Sequence, residues 1–282
     1  MSTRTHRLFL LRAYGDATIA LHFLANSPEK NNYTVIASNH LKPLINALSK
    51  YIDLSTLKIK FVDFGITKSQ LNLFTKRHFI SINTLHQVIK LKQFIKNNPN
   101  KEGVDYVEQE KKSTLLNLYT MHSFKAIVNK QVYADMGNFF KSSILIPRPT
   151  SKINKVLIVP DARISARRIP EKVIEYIKTQ LTETNKSLQV AYFNKDNKPN
   201  LQTESENKIV SYANFEQLMA MINDAEFIFG SDSLPLHLCN ALKKPHFILY
   251  PNNGSTAFFT PFSIENEFYA DFDKFSSTHF PL

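Results

Sequence analysis

Cysteine occurs once and glycine only six times in the 282 residues. A single cysteine excludes an internal disulfide framework and a zinc site built from clustered cysteines. It fits a reducing compartment. So few glycines exclude a collagen-like or glycine-rich architecture. Neither G-x-G-x-x-G nor a Walker A sequence is present, which disfavours a dinucleotide dehydrogenase and a P-loop ATPase. No apolar run approaches the roughly 18 residues that a transmembrane helix needs. Arg4 and Arg7 precede an apolar stretch at residues 8–11, but Arg12 and Asp16 interrupt it too early for the hydrophobic region of a signal peptide. A first buried strand and a cytoplasmic location are expected instead.

Hydrophobic residues make up 43% of the chain, with 22 Phe and 11 Tyr among the aromatics, so wholesale disorder is excluded. The length suits two domains of ordinary size. Charge is divided unevenly. Residues 1–150 carry 21 Lys and Arg against 9 Asp and Glu, a net +12, and residues 151–282 carry 14 against 15, a net −1. The basic half therefore attracts anionic partners: nucleic acid, an anionic membrane face or a phosphorylated substrate. A lysine-rich solvated surface is the plain alternative. No aromatic-basic recognition motif accompanies the charge, so no nucleic acid is expected.

Short apolar strands alternate with helical patterns. Strands are expected at 7–11, 33–37, 58–62 and 78–82, and helices at about 17–25, 41–48 and 84–96. The last helix has its apolar positions at Leu85, Val88, Ile89, Leu91, Phe94 and Ile95. Residues 97–112 read as polar and 113–150 as mostly helical. The alternation then resumes. Strands are expected at 155–159, 188–193, 208–211, 226–229 and 246–250, with helices at 170–182, 215–222 and 234–242. Strand–helix alternation implies parallel sheets covered on both faces. Pro147-Arg148-Pro149 coincides with the charge change and reads as a linker. Two doubly wound α/β domains, 1–150 and 151–262, follow. In such sheets ligands bind at the carboxyl ends of the strands, which places a site between two facing domains. The aromatic and acidic segment 263–282 is expected to be amphipathic and to dock back on the first domain.

Three strand-to-helix turns carry candidate chemistry. The first is Arg12-Ala13-Tyr14-Gly15-Asp16. Asp16 there is either a helix N-cap or a carboxylate able to accept a proton as general base. The second is Ser165-Ala166-Arg167-Arg168-Ile169-Pro170, whose two guanidiniums can bridge phosphate oxygens or simply be solvated. The third is Gly230-Ser231-Asp232-Ser233-Leu234-Pro235-Leu236-His237. Its helix start, near Ser233 and Leu234, suits a diphosphate, with capping by Asp232 or Ser233 as the alternative. His237 falls in the first helical turn, and no second ligand at metal spacing accompanies it. Cys239 is expected to pack against the sheet.

The order and spacing of these turns resemble glycosyltransferase family 9, the heptosyltransferase-like enzymes of lipopolysaccharide assembly. That family typically opens with a strand, Arg, a short turn and Gly-Asp, matched by Leu10-Leu11-Arg12-Ala13-Tyr14-Gly15-Asp16. A strand followed by Lys/Arg-x-Trp-Pro is matched by residues 156–159 and Arg167-Arg168-Ile169-Pro170. Near its end the family carries a strand, Gly, Asp-Ser/Thr-Gly-x-x-His, Ala-Leu and a Lys-Pro strand. Here these are Phe227-Ile228-Phe229-Gly230, Asp232-Ser233-Leu234-Pro235-Leu236-His237, Ala241-Leu242 and Lys244-Pro245 to Tyr250. The match runs over 7–26 and 153–262, with little to align over 50–150. Leu234 stands where Gly is usual and Ile169 where Trp is usual.

The resemblance implies a GT-B fold, two Rossmann-like domains facing a central cleft, with the donor held by the second domain and the acceptor by the first. It implies an inverting, metal-independent transfer from a nucleotide-diphosphate sugar such as ADP-heptose, with no separate cofactor. By the same resemblance Asp16 is the general base. Arg167, Arg168, Asp232, Ser233, Leu234 and His237 lie on the donor side, and Arg12, Tyr14 and Gly15 on the acceptor side. The acceptor is expected to be an anionic glycan or glycolipid such as lipopolysaccharide core, met by the basic half with peripheral contact at the inner membrane. Competing readings are a non-catalytic nucleotide-sugar or glycan-binding protein of the same fold and a sugar-nucleotide epimerase.

Overall fold

The computed structural model describes residues 6–11, 14–28, 30–64, 72–75, 78–101, 103, 105–107, 111–112, 119–120, 153–162, 165–183, 186–194, 207–231, 233–251, 269–275 and 280–282. The chain forms two compact units, Met1–Met136 and Gly137–Leu282.

The first unit is built on β1 (His6–Leu10), α1 (Tyr14–Asn26), β2 (Tyr33–Ser38), α2 (Lys42–Leu48), β3 (Lys58–Val62), β4 (Asn72–Thr75), β5 (His78–Ser81), α3 (Ile82–Asn97) and β6 (Asp105–Val107). Its main sheet is parallel in the order β3-β2-β1-β6. β1 and β2 are apolar because both faces are covered: Phe9, Val35 and Ala37 are fully buried. β3 lies at an edge, where the exposed lysines 58 and 60 oppose pairing with another chain. Leu91, Phe94 and Ile95 of α3 close over Phe9, Ile36 and Phe64. Phe94 meets Phe9 and Phe64 edge-on at 5.9 and 5.8 Å, the arrangement favoured by ring quadrupoles. Ile89, expected on the same apolar face, is exposed. β4 and β5 form a hairpin, as do the short strands β7 (Lys111–Lys112) and β8 (Tyr119–Thr120). Apart from this last pair, the segment expected to be helical at 113–150 lies outside the described residues. β6 falls in a stretch read as polar loop; its pairing with β1 makes it a strand.

The second unit contains β9 (Lys155–Val159), α4 (Glu171–Thr182), β10 (Ser187–Phe193), β11 (Asn207–Tyr212), α5 (Phe215–Asp224), β12 (Phe227–Ser231), α6 (Leu234–Ala241), β13 (His246–Tyr250), β14 (Tyr269–Asp271) and the turn α7 (Phe272–Phe275). All six strands are parallel in the order β11-β10-β9-β12-β13-β14. This is the Rossmann order, with its switch point between β9 and β12. α4 buries Val173, Ile174, Ile177 and Leu181, one stripe of a 3.6-residue period. α5 begins with a reciprocal cap. Asn214 accepts from the Gln217 amide at 2.9 Å, and the Gln217 side chain accepts from the Ala213 amide at 2.7 Å.

Three expectations are corrected here. Helix α1 starts at Tyr14, so Gly15 and Asp16 lie inside its first turn, and Asp16 does not occupy an N-cap. β12 runs on to Ser231, so Gly230 is a strand residue paired with Val159 and Ile248. The described residues of the C-terminal segment, expected to dock on the first domain, belong to the second unit. β14 extends its sheet beside β13, and Phe272 and Phe275 enter its core. The physical reason is aromatic packing: Phe275 meets Phe229, Phe247 and Tyr176 at 5.3–5.9 Å. A Lys172–Asp273 ion pair at 3.0 Å also ties the segment to α4.

Candidate functional site

The turns after β9 and β12 are neighbours because these strands pair directly, with Ile158 beside Phe229 and Val159 beside Gly230. Both turns therefore leave the carboxyl edge of the sheet at its switch point, where open α/β sheets bind ligands. The turn after β9 closes on itself through the Ile169 amide and the Pro160 carbonyl, 3.1 Å apart. It contains a 3-10 turn, Ser165–Arg167, and delivers the chain to α4 through Pro170. Ile169 is buried in the core beneath it.

Arg167 and Arg168 diverge after this turn. Arg167 is half-buried, and its charge acts on His237. Arg168 is exposed; its Nε donates to the Ala162 carbonyl at 3.4 Å and stands 4.0 Å from Asp161 Oδ1.

At the other turn, Ser233 takes the N-cap position of α6 in extended conformation, with φ −158° and ψ −167°, but makes no side-chain cap. Its hydroxyl lies 2.8 Å from that of Ser231, and both donate to the Asp161 carbonyl, at 3.3 and 3.2 Å. The alternative in which Ser233 caps the helix is thus not what the structure shows: the hydroxyl is turned to the Asp161 carbonyl, two residues beyond β9. Leu234, the first residue of α6, is half-buried. His237, one turn in, has a buried Nδ1 with no partner among the described residues. Burial first, then His246 and the Arg167 guanidinium, hold its imidazole down at about 4, so it is neutral at pH 7. Cys239 is buried as expected, and burial pushes its thiol up. Gly230 is buried, yet a Cβ added there would meet no atom of the described residues within 4 Å.

In the first unit, Tyr14 opens α1 beyond the carboxyl end of β1, and His40 follows β2; their rings are 5.6 Å apart. Burial raises the Tyr14 hydroxyl. Gly15 and the backbone of Asp16 follow in the same turn of helix. Arg12 and Asp232 lie outside the described residues. Asp161, Ser231 and His40 are polar residues at these strand ends that the sequence did not single out. Asp161 and Ser231 meet across 70 positions, a separation no local pattern encodes.

The described residues contain no group of three or more His, Cys, Asp or Glu able to hold a metal ion. One Asp-x-Asp sequence, Asp271-Phe272-Asp273, occurs far along the chain. Its carboxylates are engaged structurally: Asp271 accepts from the amides of Asp273 and Lys274, and Asp273 pairs with Lys172. No helix among the described residues is long and apolar enough to cross a membrane.

Two units with parallel α/β sheets, the second in Rossmann order, are the architecture of a GT-B fold. Comparison with known proteins bears out the resemblance drawn from the sequence. Residues 148–267 match the model of glycosyltransferase family 9 (heptosyltransferase). Among solved structures, the glycosyl transferase family 9 protein from Veillonella parvula shares the fold. It has a TM-score of 0.52 and 13% identity, covering 96% of this chain and 86% of that one. The E. coli heptosyltransferase WaaC with ADP is similar at a TM-score of 0.48 and 10% identity, covering 88% of each chain. E. coli ADP-heptose lipopolysaccharide heptosyltransferase II is similar at 0.48 and 12%, covering 91% and 87%. No curated protein sequence matches the chain.

Proposed function

We propose that the protein is an inverting glycosyltransferase that moves a sugar, heptose in the first instance, from a nucleotide-diphosphate donor to an anionic glycan or glycolipid. One observation carries the reading. The family 9 match spans the turns bearing Arg167, Ser233 and His237, and those turns leave adjacent strands at the switch point of a Rossmann sheet. Arg167 and the amino end of α6 supply positive potential for the leaving diphosphate, where the helix dipole favours an anion. Arg168, Asp232 and Leu234 belong to the same donor region, and Arg12, Tyr14 and Gly15 to the acceptor region.

The transfer itself is a displacement. The acceptor oxygen bonds to the anomeric carbon as the bond from that carbon to the diphosphate oxygen breaks. Asp16 accepts the hydroxyl proton, and the diphosphate departs with the electron pair. Cationic side chains and backbone amides stabilise the departing charge in place of a metal. The basic first half, net +12 over residues 1–150, suits an acceptor rich in carboxylates and phosphates. It also suits peripheral contact with the inner face of the cytoplasmic membrane. We place the protein in the cytoplasm, where nucleotide sugars are made.

Thermal-shift titration with ADP-, UDP- and GDP-sugars, followed by transfer to a phosphorylated core oligosaccharide, tests the proposal. Stabilisation by one donor class and an acceptor-dependent product are expected; no response to any of them defeats it. Leu234, at the position where the family usually has Gly, favours a second reading as a diverged binder. Donor binding without hydrolysis or transfer would establish that reading.

A further inference from the structure

We propose that Asp161 is a positioning residue for this site: it ties three strand ends together and keeps the Ser233 hydroxyl off the amino end of α6. The residue lies two positions beyond the end of β9, after Pro160. Its carboxylate Oδ2 accepts from the Phe193 amide at 2.7 Å, at the last residue of β10. Its carbonyl accepts from Ser231 and Ser233 at the end of β12. One residue thus links β10, β9 and β12 at the carboxyl edge, and its side chain fixes the peptide plane that receives both hydroxyls.

The consequence lies in what Ser233 does not do. A serine at an N-cap ordinarily accepts a hydrogen bond from the first turn of its helix, satisfying that end internally. Ser233 has the N-cap position and extended backbone but makes no such bond. Its hydroxyl is parked on Asp161, so the amino end of α6 is not closed by its own cap and stays available to an incoming anion. Without the Asp161 side chain, the peptide plane loses its tether to β10. Ser233 is then released to cap α6 and compete with the anion.

This inference rests on the reading of the α6 entry as a diphosphate site, and its sign separates it from plain electrostatics. Asp161 is an acid beside a proposed anion site. By charge alone its removal would tighten anion binding; by positioning, removal weakens it.

The test uses the full chain and inorganic pyrophosphate, followed by calorimetry, with Asp161→Ala, Asp161→Asn, Ser233→Ala and the Asp161→Ala/Ser233→Ala pair. Asp161→Ala should weaken pyrophosphate binding about tenfold. Asp161→Asn keeps an oxygen for the Phe193 amide and should bind at least as tightly as the unaltered protein. In the Ser233→Ala background, adding Asp161→Ala should cost less than about threefold, because the competing cap is already gone. Unchanged or tighter binding in Asp161→Ala, equal damage from Asn and Ala, or fully additive losses would overturn the proposal.

Amide hydrogen exchange provides a readout that needs no ligand. In Asp161→Ala, exchange should quicken at Phe193 and slow at Leu236, the third helical residue, as Ser233 caps the helix. Unchanged exchange at both places defeats the positioning role. The expected exchange with no pyrophosphate or ADP binding even by the unaltered protein defeats the diphosphate reading and leaves Asp161's role standing.

Discussion

Phe280 stacks on Phe229, with ring centroids 5.6 Å apart and planes at 25°. The last residues of the chain thus complete the core of the second unit, and Phe275, 1% exposed, sits between β12, β13 and α4. Phe275→Ala should lower stability by about 3–5 kcal/mol, since a large ring leaves a cavity its neighbours fill only in part. Denaturant unfolding measures this, and an unchanged midpoint would contradict the packing.

Asp16→Ala tests the proposed base. Loss of a general base should reduce turnover roughly 10²–10⁴-fold. Donor affinity should be unaltered, because that carboxylate is assigned to the acceptor. Single-turnover transfer and donor titration together make the distinction. Near-normal turnover removes Asp16 from the reaction, and a matching loss of donor affinity assigns it elsewhere.

Gly230→Ala should leave folding intact and weaken donor binding. A Cβ there meets no atom of the described residues within 4 Å. Alanine is also intrinsically less costly than glycine within a strand, by about 0.5–1 kcal/mol. A melting temperature no lower than that of the unaltered protein is therefore expected. Weaker donor binding beside it would show that the open space serves the ligand, whereas unaltered binding would show that it does not.

Stability should fall on mild acidification. His237 and His246 are both held down at about 4, each chiefly by burial, against roughly 6.5 in the unfolded chain. The unfolded state therefore binds more protons below about pH 6.5. The contribution of the neutral imidazoles is complete above that pH and is lost progressively toward pH 4. Each histidine contributes at most about 1.4 kcal/mol per pH unit within this window. Denaturation at pH 7.5, 6 and 5 should show the decline, and His237→Gln should flatten it. A flat profile in the unaltered protein would refute the lowered titration of these two imidazoles.

Cys239 should resist thiol reagents in the native protein. It is buried at 1% exposure with its thiol pushed up, so little thiolate is present or reachable. A disulfide-exchange reagent should label it only at the rate of unfolding. Rapid stoichiometric labelling at pH 8 would contradict the packing of α6 against the sheet.

Much of the architecture was legible in the residues themselves. The runs Lys58–Val62, Lys155–Val159 and His246–Tyr250 form strands at their expected positions, since apolar, β-branched segments bounded by polar turns carry their own signal. The stripe on α4 was equally plain. β6 and β14 were not, because Asp105-Tyr106-Val107 and Tyr269-Ala270-Asp271 become strands only through a neighbour's unpaired edge. The boundary at Tyr14 was also hidden, so Asp16 and Gly15 shifted from turn to helix.

What the amino-acid order determined alone was the alternation of strands and helices, the uneven charge and the motif spacing, all encoded within a few residues by side-chain period and turn chemistry. Tertiary structure decided the strand order, which places β12 beside β9 and brings Ser231 and Ser233 to the Asp161 carbonyl. It also decided that the C-terminal aromatics complete the second unit's core. The reason is distance along the chain. Hydrogen bonds and ring contacts between segments tens of residues apart depend on which surfaces are left to bury once the local elements have formed.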